Sequence, residues 1–231
     1  MTFEEFKAAQ TERGILIDDV MEDQLNSYAS YLKEYNEKIN LTAITEYEEV
    51  LDKHFYDSLL AIKEELKGNL ADVGTGAGFP GVVLKIVCPS LHVTLIEPIQ
   101  KRCVFLESLI DRLGLQGIEV INERGEDYSL KHREEFDYVT ARAVSNLNNL
   151  IEVCGALVKK DGYFICLRGK EGRKEIDRAD KAIGTMGFVI EWIEDEKLFN
   201  GDQRVISYFR KVRSTPLKYP RKYNIMKKSP L

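Results

Sequence analysis

The sequence predicts an α/β fold: a seven-stranded, mostly parallel sheet with an antiparallel C-terminal hairpin, preceded by a helical N-terminal cap. Three observations predict it. From residue 69 onward, short β-like runs alternate with segments of helical spacing. The last two β-like runs have no helix between them. Residues 1–66 carry helical periodicity and no strand pattern.

In chain order, "MEDQLNSYASYLKEYNEKIN" and "EYEEVLDKHFYDSLLAIKEEL" supply the helical cap, joined through "LTAIT". The parallel strands are "NLADVG" (69–74), "HVTLIEP" (92–98), "IEVINE" (118–123), "FDYVTA" (136–141) and "GYFICLR" (162–168), all rich in Val, Ile and aromatics. Between them "PGVVLKIVC", "KRCVFLESLIDRLG" and "SNLNNLIEVCGALVKK" read as helices, with Gly114 and Gly162 as helix stops after the last two. One more helix, "RKEIDRADKAIGTMG", leads into "FVIEWIEDEK" (188–197) and "RVISYFRKV" (204–212), whose short connection contains Asn200-Gly201. The expected division is 1–66 for the cap, 67–212 for the sheet domain and 213–231 for a basic tail.

At 231 residues and 44% hydrophobic, the chain is long enough to bury a full core. It has no run of about 18 apolar residues, and its acidic start is unlike a signal peptide, so the expectation is a cytoplasmic protein with no membrane partner. A monomer is the expected state. Cys88, Cys103, Cys154 and Cys166 form no C-x-x-C pair and lie among apolar residues, which reads as buried thiols. His54, His92 and His132 show no metal-ligand spacing, and no metal is expected. The net charge of −5 hides an asymmetry. Residues 211–231 hold seven Lys/Arg and no acid, leaving 26 basic against 38 acidic residues elsewhere, a balance of −12. The tail is expected to supply phosphate contacts with a polyanion; the alternatives are a solvated, disordered terminus, or a fold-back over the cofactor cleft with Tyr219 and Tyr223 packed on the sheet domain.

"LADVGTGAGFPG" (70–81) lies between the first strand and its helix, at the carboxyl end of a strand, where open α/β sheets bind nucleotides. No G-K-[ST] follows, so a nucleoside triphosphate loop is excluded. Gly76, Gly78 and Gly81 match G-x-G-x-x-G, and Glu97 ends the next strand, as NAD binding would require. The series starts earlier, however, as Asp72-x-Gly74-x-Gly76-x-Gly78. An acid facing the ligand there repels a pyrophosphate and attracts the ammonium of a methionine moiety, favouring S-adenosylmethionine. Glu97 suits either cofactor, since both present ribose hydroxyls.

"NLTAITEYEEVLDKHFYDSLL", "DVGTGAGFPGVVLKI", "TLIEPIQKRCVFLESLIDRLGL" and "FDYVTARAVSNLNNL" together resemble the bacterial RsmG (GidB) methyltransferases, from about residue 36 to 210. The pairing of H-x-x-D-S with D-V-G-T-G-x-G-x-P-G and a later A-R-A carries the resemblance, and the tail with "YPRKY" is similar to Gram-positive members. The resemblance implies a class I S-adenosylmethionine-dependent methyltransferase fold. It implies methyl transfer to N7 of a guanine in 16S rRNA, guanine 527 in the 530 loop, with 16S rRNA or the small ribosomal subunit as partner. It places Gly74 and Phe79 at the cofactor, Gly125 and Glu126 beside the adenine, and Arg142 at the closing edge of the site. Family members often read Lys-Gly after the fifth strand, where this chain has Arg168-Gly169, so Arg168 is kept off the catalytic set.

The chemistry agrees with that implication. Guanine N7 carries a lone pair and no proton, so alignment rather than a base suffices. The chain lacks an N-P-P-Y-type motif and paired cysteines, as used for amino-group and C5 methylation. N7 lies in the groove that A-form RNA closes, so the target belongs in a loop or distorted region. His54 and Asp57 lie three apart with Ser58 adjacent, and read either as structural polar groups or as part of the RNA site; they and Arg142 are the catalytic candidates. Lys101 and Arg102 open a helix and are read as phosphate contacts, Trp192 as packing, and Asp137 receives no role. The competing functions are an NAD(P)-linked reductase, for which no Tyr-x-x-x-Lys is evident, and a non-catalytic RNA-binding module, which leaves Asp72, Glu97 and the glycines unexplained.

Overall fold

The computed structural model describes residues 1–142 and 146–231. Ala143, which completes the A-R-A motif, and Ser145, the start of one expected helix, lie outside the described residues. Helix α1 (Phe3–Glu12) starts in a capping box formed by Thr2 and Glu5. Helix α2 (Asp19–Asn36) starts where the Asp18 side chain accepts from Met21 N, and it buries Leu25, Tyr28 and Leu32 along one face. Asn36 Oδ1 then accepts from the amides of Leu41 and Thr42 at 2.8 and 2.9 Å, turning the chain back. A third helical segment runs as α3 (Tyr47–Val50), a π-helical stretch Leu51–Tyr56, and α4 (Asp57–Leu59). It ends before the sequence pattern does. Leu60, Ala61, Ile62 and Leu66 are all buried, which a helix continuing along the surface could not achieve.

The sheet follows: β1 (Asn69–Val73), α5 (Gly81–Val87), β2 (His92–Ile96), α6 (Gln100–Leu113), β3 (Ile118–Ile121), α7 (Gly125–Lys131), β4 (Phe136–Arg142), α8 (Leu147–Leu157) and β5 (Val158–Gly169). Then come α9 (Gly172–Arg178), α10 (Asp180–Thr185), β6 (Phe188–Lys197), β7 (Gln203–Lys211) and α11 (Tyr223–Lys228). Strand order is β3-β2-β1-β4-β5-β7-β6. The first five strands are parallel, and β7 inserts antiparallel between β5 and β6. Strand order reverses between β1 and β4, which opens a crevice at their carboxyl ends.

One helix stop is as expected and one is not. Gly114 caps α6 in the left-handed conformation at φ 64°. Gly162 lies inside β5 instead. Helix α8 ends at Leu157 and Val158 enters the strand at once, pairing with Phe136. Gly162 is needed because a Cβ there would stand 2.6 Å from the carbonyl oxygen of Asp137. The expected single helix after β5 is divided at Ala179 into α9 and α10.

Two hydrophobic clusters cover the faces of the sheet. One joins Phe6, Tyr28, Leu32 and Phe55 of the N-terminal region to Leu84, Leu95 and Leu106, so the helical cap shares its core with the sheet. The other joins α8 and α10 to Phe164 and Phe209, and includes Tyr219 and Met226 of the tail. All four cysteines are buried and free. Among the described residues, no helix is long and apolar enough to cross a membrane.

Candidate active site

The glycine loop leaves β1 at the reversal of strand order. Gly74, Gly76 and Gly78 have φ of 70°, 63° and 100°, a left-handed series that side chains resist. Gly74 N donates to Ile96 O at 2.8 Å and Gly76 N to Glu97 Oε2 at 3.0 Å, which tie the loop to the end of β2. A Cβ at Gly76 would meet nothing within 4 Å, so this glycine borders open space. At Gly78 a Cβ would stand 2.7 Å from both Tyr28 Oη and Val82 Cγ2. Tyr28, on α2, also donates to Ala77 O and stacks on Phe79 with ring centroids 5.2 Å apart.

Asp72 corrects an expectation. It does not face outward toward a ligand: it is 0% exposed, and its carboxylate is occupied by its own loop. Oδ2 accepts from Thr75 Oγ1 at 2.6 Å and Gly81 N at 2.9 Å, and Oδ1 accepts from Thr140 Oγ1 at 3.2 Å. Burial pushes its carboxyl up to about 6, against the downward pull of these donors and of Arg142. Asp72 therefore shapes the loop from within.

Glu97 follows β2 and is also buried, with Oε2 on Gly76 N and Oε1 on Ile99 N at 2.9 Å. Each oxygen retains a second lone pair. Arg102 lies 3.6 Å from Oε2, whereas Lys101 is exposed. Beside Glu97 is a cavity of about 680 Å³, lined by Pro98, Asn122, Glu123, Arg124, Asp127 and others. Gly125 and Glu126 lie between Arg124 and Asp127 in the chain. Gly125 allows the loop to close on the end of β1, since a Cβ there would stand 2.8 Å from Val73 Cγ1. Among the described residues Glu126 Oε1 has no hydrogen-bond partner; it is buried, with Arg124 NH1 3.9 Å away. A run of side-chain-free backbone, a carboxylate at the end of β2 and an unsatisfied carboxylate oxygen beside the cavity fit a nucleoside with hydroxyl and amino donors.

On the other side of the glycine loop, β4, β5 and β7 bring together residues that the sequence separates widely. Arg142 ends β4 and donates from NH1 to Asp57 Oδ2 at 3.0 Å and Lys53 O at 3.1 Å. Its NH2 lies 3.1 Å from His54 Nδ1. Nδ1 also lies 3.1 Å from Lys53 O, and Nε2 lies 3.1 Å from Thr42 Oγ1. Burial, and then Arg142, lower His54 to about 3, so the ring is neutral. It stacks on Phe79 with centroids 4.3 Å apart, and the Arg142 guanidinium lies 5.0 Å from the Phe79 ring centre. The π-helical stretch carries His54 and runs directly into Asp57 at the start of α4, and Ser58 Oγ donates to His54 O at 2.6 Å. A second cavity, about 500 Å³, has His54, Asp57, Arg142, Lys53, Arg168 and Arg204 in its wall.

The expected candidates thus fall into two groups astride one loop: Glu97, Gly125 and Glu126 on one side, His54, Asp57 and Arg142 on the other. Asp137 accepts from Asn69 N at 2.9 Å, away from the site, and Trp192 packs against Tyr163 and Tyr208. Three site residues carried no local signal. Arg204 donates to Asp57 Oδ1 at 2.8 Å from the start of β7, Thr42 holds His54 from the "LTAIT" link, and Tyr28 supports the glycine loop from α2.

Comparison with known proteins agrees with this geometry. The family model GidB, rRNA small subunit methyltransferase G, matches residues 21–197. A relative named ribosomal RNA small subunit methyltransferase G from Alkaliphilus metalliredigens is 43% identical over 226 residues, covering 95% of each chain. One of the same name from Bacillus subtilis is 42% identical over 237 residues, covering 100% of this chain and 99% of its own. Among solved structures, M. jannaschii TYW2 in complex with AdoMet aligns with a TM-score of 0.56 at 16% identity, over 68% of this chain and 74% of its own. A SAM-dependent methyltransferase from Aquifex aeolicus aligns with a TM-score of 0.55 at 16% identity, over 76% and 97%. These two show the fold; the family follows from the near-complete coverage of both chains by relatives above 40% identity: this chain belongs to the rRNA small subunit methyltransferase G (GidB) family.

Proposed function

We propose that the protein transfers a methyl group from S-adenosylmethionine to N7 of a guanine in small-subunit rRNA, within the 530 loop. One observation carries the choice of acceptor: the two titratable candidates beside the glycine loop are already engaged by neighbouring groups. His54 is engaged at both ring nitrogens, and both Asp57 oxygens accept from arginines. A site so arranged suits an acceptor that has no proton to lose, and N7 is such an acceptor.

Bound S-adenosylmethionine would supply an electrophilic methyl group. The residues that would hold it are Gly74, Gly76, Gly78 and Phe79 of the loop, Glu97 toward the ribose, Gly125 and Glu126 toward the base, and Arg142 at the closing edge. Asp72 acts through the loop that it organises. The chain's own work is then alignment, a contribution that can reach about 7–11 kcal/mol. The His54–Phe79–Arg142 stack forms one wall for an incoming planar base. A neutral His54 matters because N7 methylation leaves the base positive, and a charged ring would add to the charge of Arg142 in the same wall. We assign residues 67–212 to catalysis, 1–66 to closing the acceptor side and 213–231 to bracing the cofactor side.

The test is to map methylated guanines in 16S rRNA from a strain lacking the gene and from the same strain complemented. A guanine of the 530 loop that loses and regains N7 methylation is expected; an unchanged map refutes the proposal. Calorimetry with S-adenosylhomocysteine and NADH separates the reductase reading, with binding of the former alone expected.

A further inference from the structure

We propose that the 500 Å³ cavity beyond His54 and Arg142 is a phosphodiester site, in which Arg168 takes a backbone phosphate of the nucleotide being methylated. This rests on the functional reading above, and assigns a role to an arginine outside the catalytic set.

The cavity is of a size to hold one nucleotide. Its wall has four cations, Lys53, Arg142, Arg168 and Arg204, and two carboxylates, Asp57 and Asp202. Arg142 and Arg204 are both committed to Asp57, at 3.0 and 2.8 Å. That triad retains one unit of positive charge in a largely buried setting. Arg168 differs. It spends one edge of its guanidinium on Glu175, with Nε at 2.7 Å and NH2 at 2.5 Å from Oε2. The remaining group, NH1, is buried and has no hydrogen-bond partner among the described residues. Its side chain is 11% exposed. Leaving a charged donor unsatisfied is costly unless a ligand completes it, and a guanidinium edge matches phosphate geometry.

Arg168 is opposite Val205 and Gly169 is opposite Arg204, so the two arginines leave opposite faces of adjacent strands, and both border the cavity at the carboxyl end of β5, with His54 and Arg142 in the same wall. A nucleotide whose base lies against the His54–Phe79–Arg142 wall would have its phosphate toward Arg168 and Arg204. The same contact answers an electrostatic conflict. N7 methylation creates a cation near the Arg142–Asp57–Arg204 triad, which has net positive charge. A phosphate brought by the substrate itself offsets that charge, so the site is electrically complete only when a nucleotide, rather than a free base, occupies it.

The test is a double cycle. Arg168→Gln and Arg168→Lys are compared with the wild type for 16S rRNA KM and kcat, salt dependence of rRNA affinity, and S-adenosylhomocysteine affinity. The substrate is varied by placing a neutral methylphosphonate at either linkage of the methylated nucleotide in an rRNA fragment. Arg168→Gln is expected to raise rRNA KM about tenfold or more, as loss of one charge-assisted contact implies, and to flatten the log–log salt slope by about 0.7. Cofactor affinity should not change, and Arg168→Lys should recover the salt slope while leaving KM raised. One methylphosphonate should weaken the wild type and have no further effect on Arg168→Gln. If Arg168→Gln does not fold, the methylphosphonate comparison on the wild type decides. Equal activity with both neutral linkages, in a wild type that methylates the normal fragment, overturns the phosphate site. A wild type that methylates no form of the rRNA overturns the functional reading instead.

Discussion

Gly76 and Gly78 are adjacent in a motif yet serve different ends, and substitution should separate them. At Gly76 a methyl group meets nothing, so Gly76→Ala carries only the left-handed backbone penalty of about 1–2 kcal/mol. Gly78→Ala adds a clash with Tyr28 Oη and Val82, and should cost more, by about 1–3 kcal/mol of overpacking. Urea denaturation of the two variants gives the order; equal losses would refute this account of the loop. Glu97→Ala should weaken S-adenosylhomocysteine by about 2–3 kcal/mol through lost charged hydrogen bonds, and calorimetry with a 2′-deoxy analogue should then show little further loss. If the analogue is discriminated equally by both proteins, Glu97 does not hold the ribose. His54 predicts a pH dependence of stability. In the folded chain it stays neutral down to about 3, whereas the unfolded chain takes up a proton near the ordinary histidine value of 6.5. Acid therefore favours unfolding through this group, by up to about 1.4 kcal/mol per pH unit below 6.5. Asp72, raised to about 6, acts oppositely, so its contribution falls as pH rises from 3.8. The comparison that isolates His54 is wild type against His54→Gln at about pH 7 and pH 5. The wild type should lose more stability on acidification, and parallel losses would refute the assignment.

The C-terminal segment behaves as a strap across the second face of the sheet. Glu152 on α8 is 0% exposed and accepts from Arg221 N, Nε and NH2 at 2.6–2.9 Å. Arg133 donates to Tyr219 O and Thr215 O, and Asn148 Nδ2 donates to Leu231 O at 2.8 Å. Tyr223 lies against Arg124, which lines the larger cavity. Arg221→Ala would strand a buried carboxylate on α8, with an expected loss of about 3 kcal/mol or more, read by thermal or urea denaturation. Glu152→Gln combined with Arg221→Ala should recover part of it. No recovery would mean that the ion pair is not the source of the loss.

At the level of the molecule, folding redistributes the tail's charge. Of its seven cations, Lys211 is buried against Gly155 O and Thr215, and Arg221 is spent on Glu152, while Arg213, Lys218, Lys222, Lys227 and Lys228 stay exposed. The segment folds back through Tyr219 and Met226, which pack inward, whereas Tyr223, expected to pack with Tyr219, is 42% exposed; the lysines face out. Truncation after Arg210 should lower stability and weaken S-adenosylhomocysteine binding, and should also flatten the salt dependence of rRNA binding. Intact cofactor affinity in a folded truncated protein would remove the bracing role, and an unchanged salt slope would remove the RNA role.

Strand and helix succession, the closing hairpin and the glycine loop were legible in the chain because they depend on local patterns: two-residue and 3.6-residue periodicity, and glycines at left-handed positions. Asp72, Glu97, His54, Asp57 and Arg142 could be nominated from motifs for the same reason. Their partners could not. Whether Asp72 faces a ligand or its own loop depends on Thr140, one strand away, and whether His54 is a base or a neutral wall depends on Arg142 and Thr42. Likewise, Gly162 looked like a helix stop because the strand that crowds it, through Asp137 O, is distant in sequence. Arg204 and Arg221 sit among ordinary surface cations in the sequence, and acquire Asp57 and Glu152 only when β7 inserts beside β5 and the tail crosses α8. Periodicity encodes which face of an element is buried; it does not encode which charge from another element will be waiting there, because that choice is made by packing at long sequence separation.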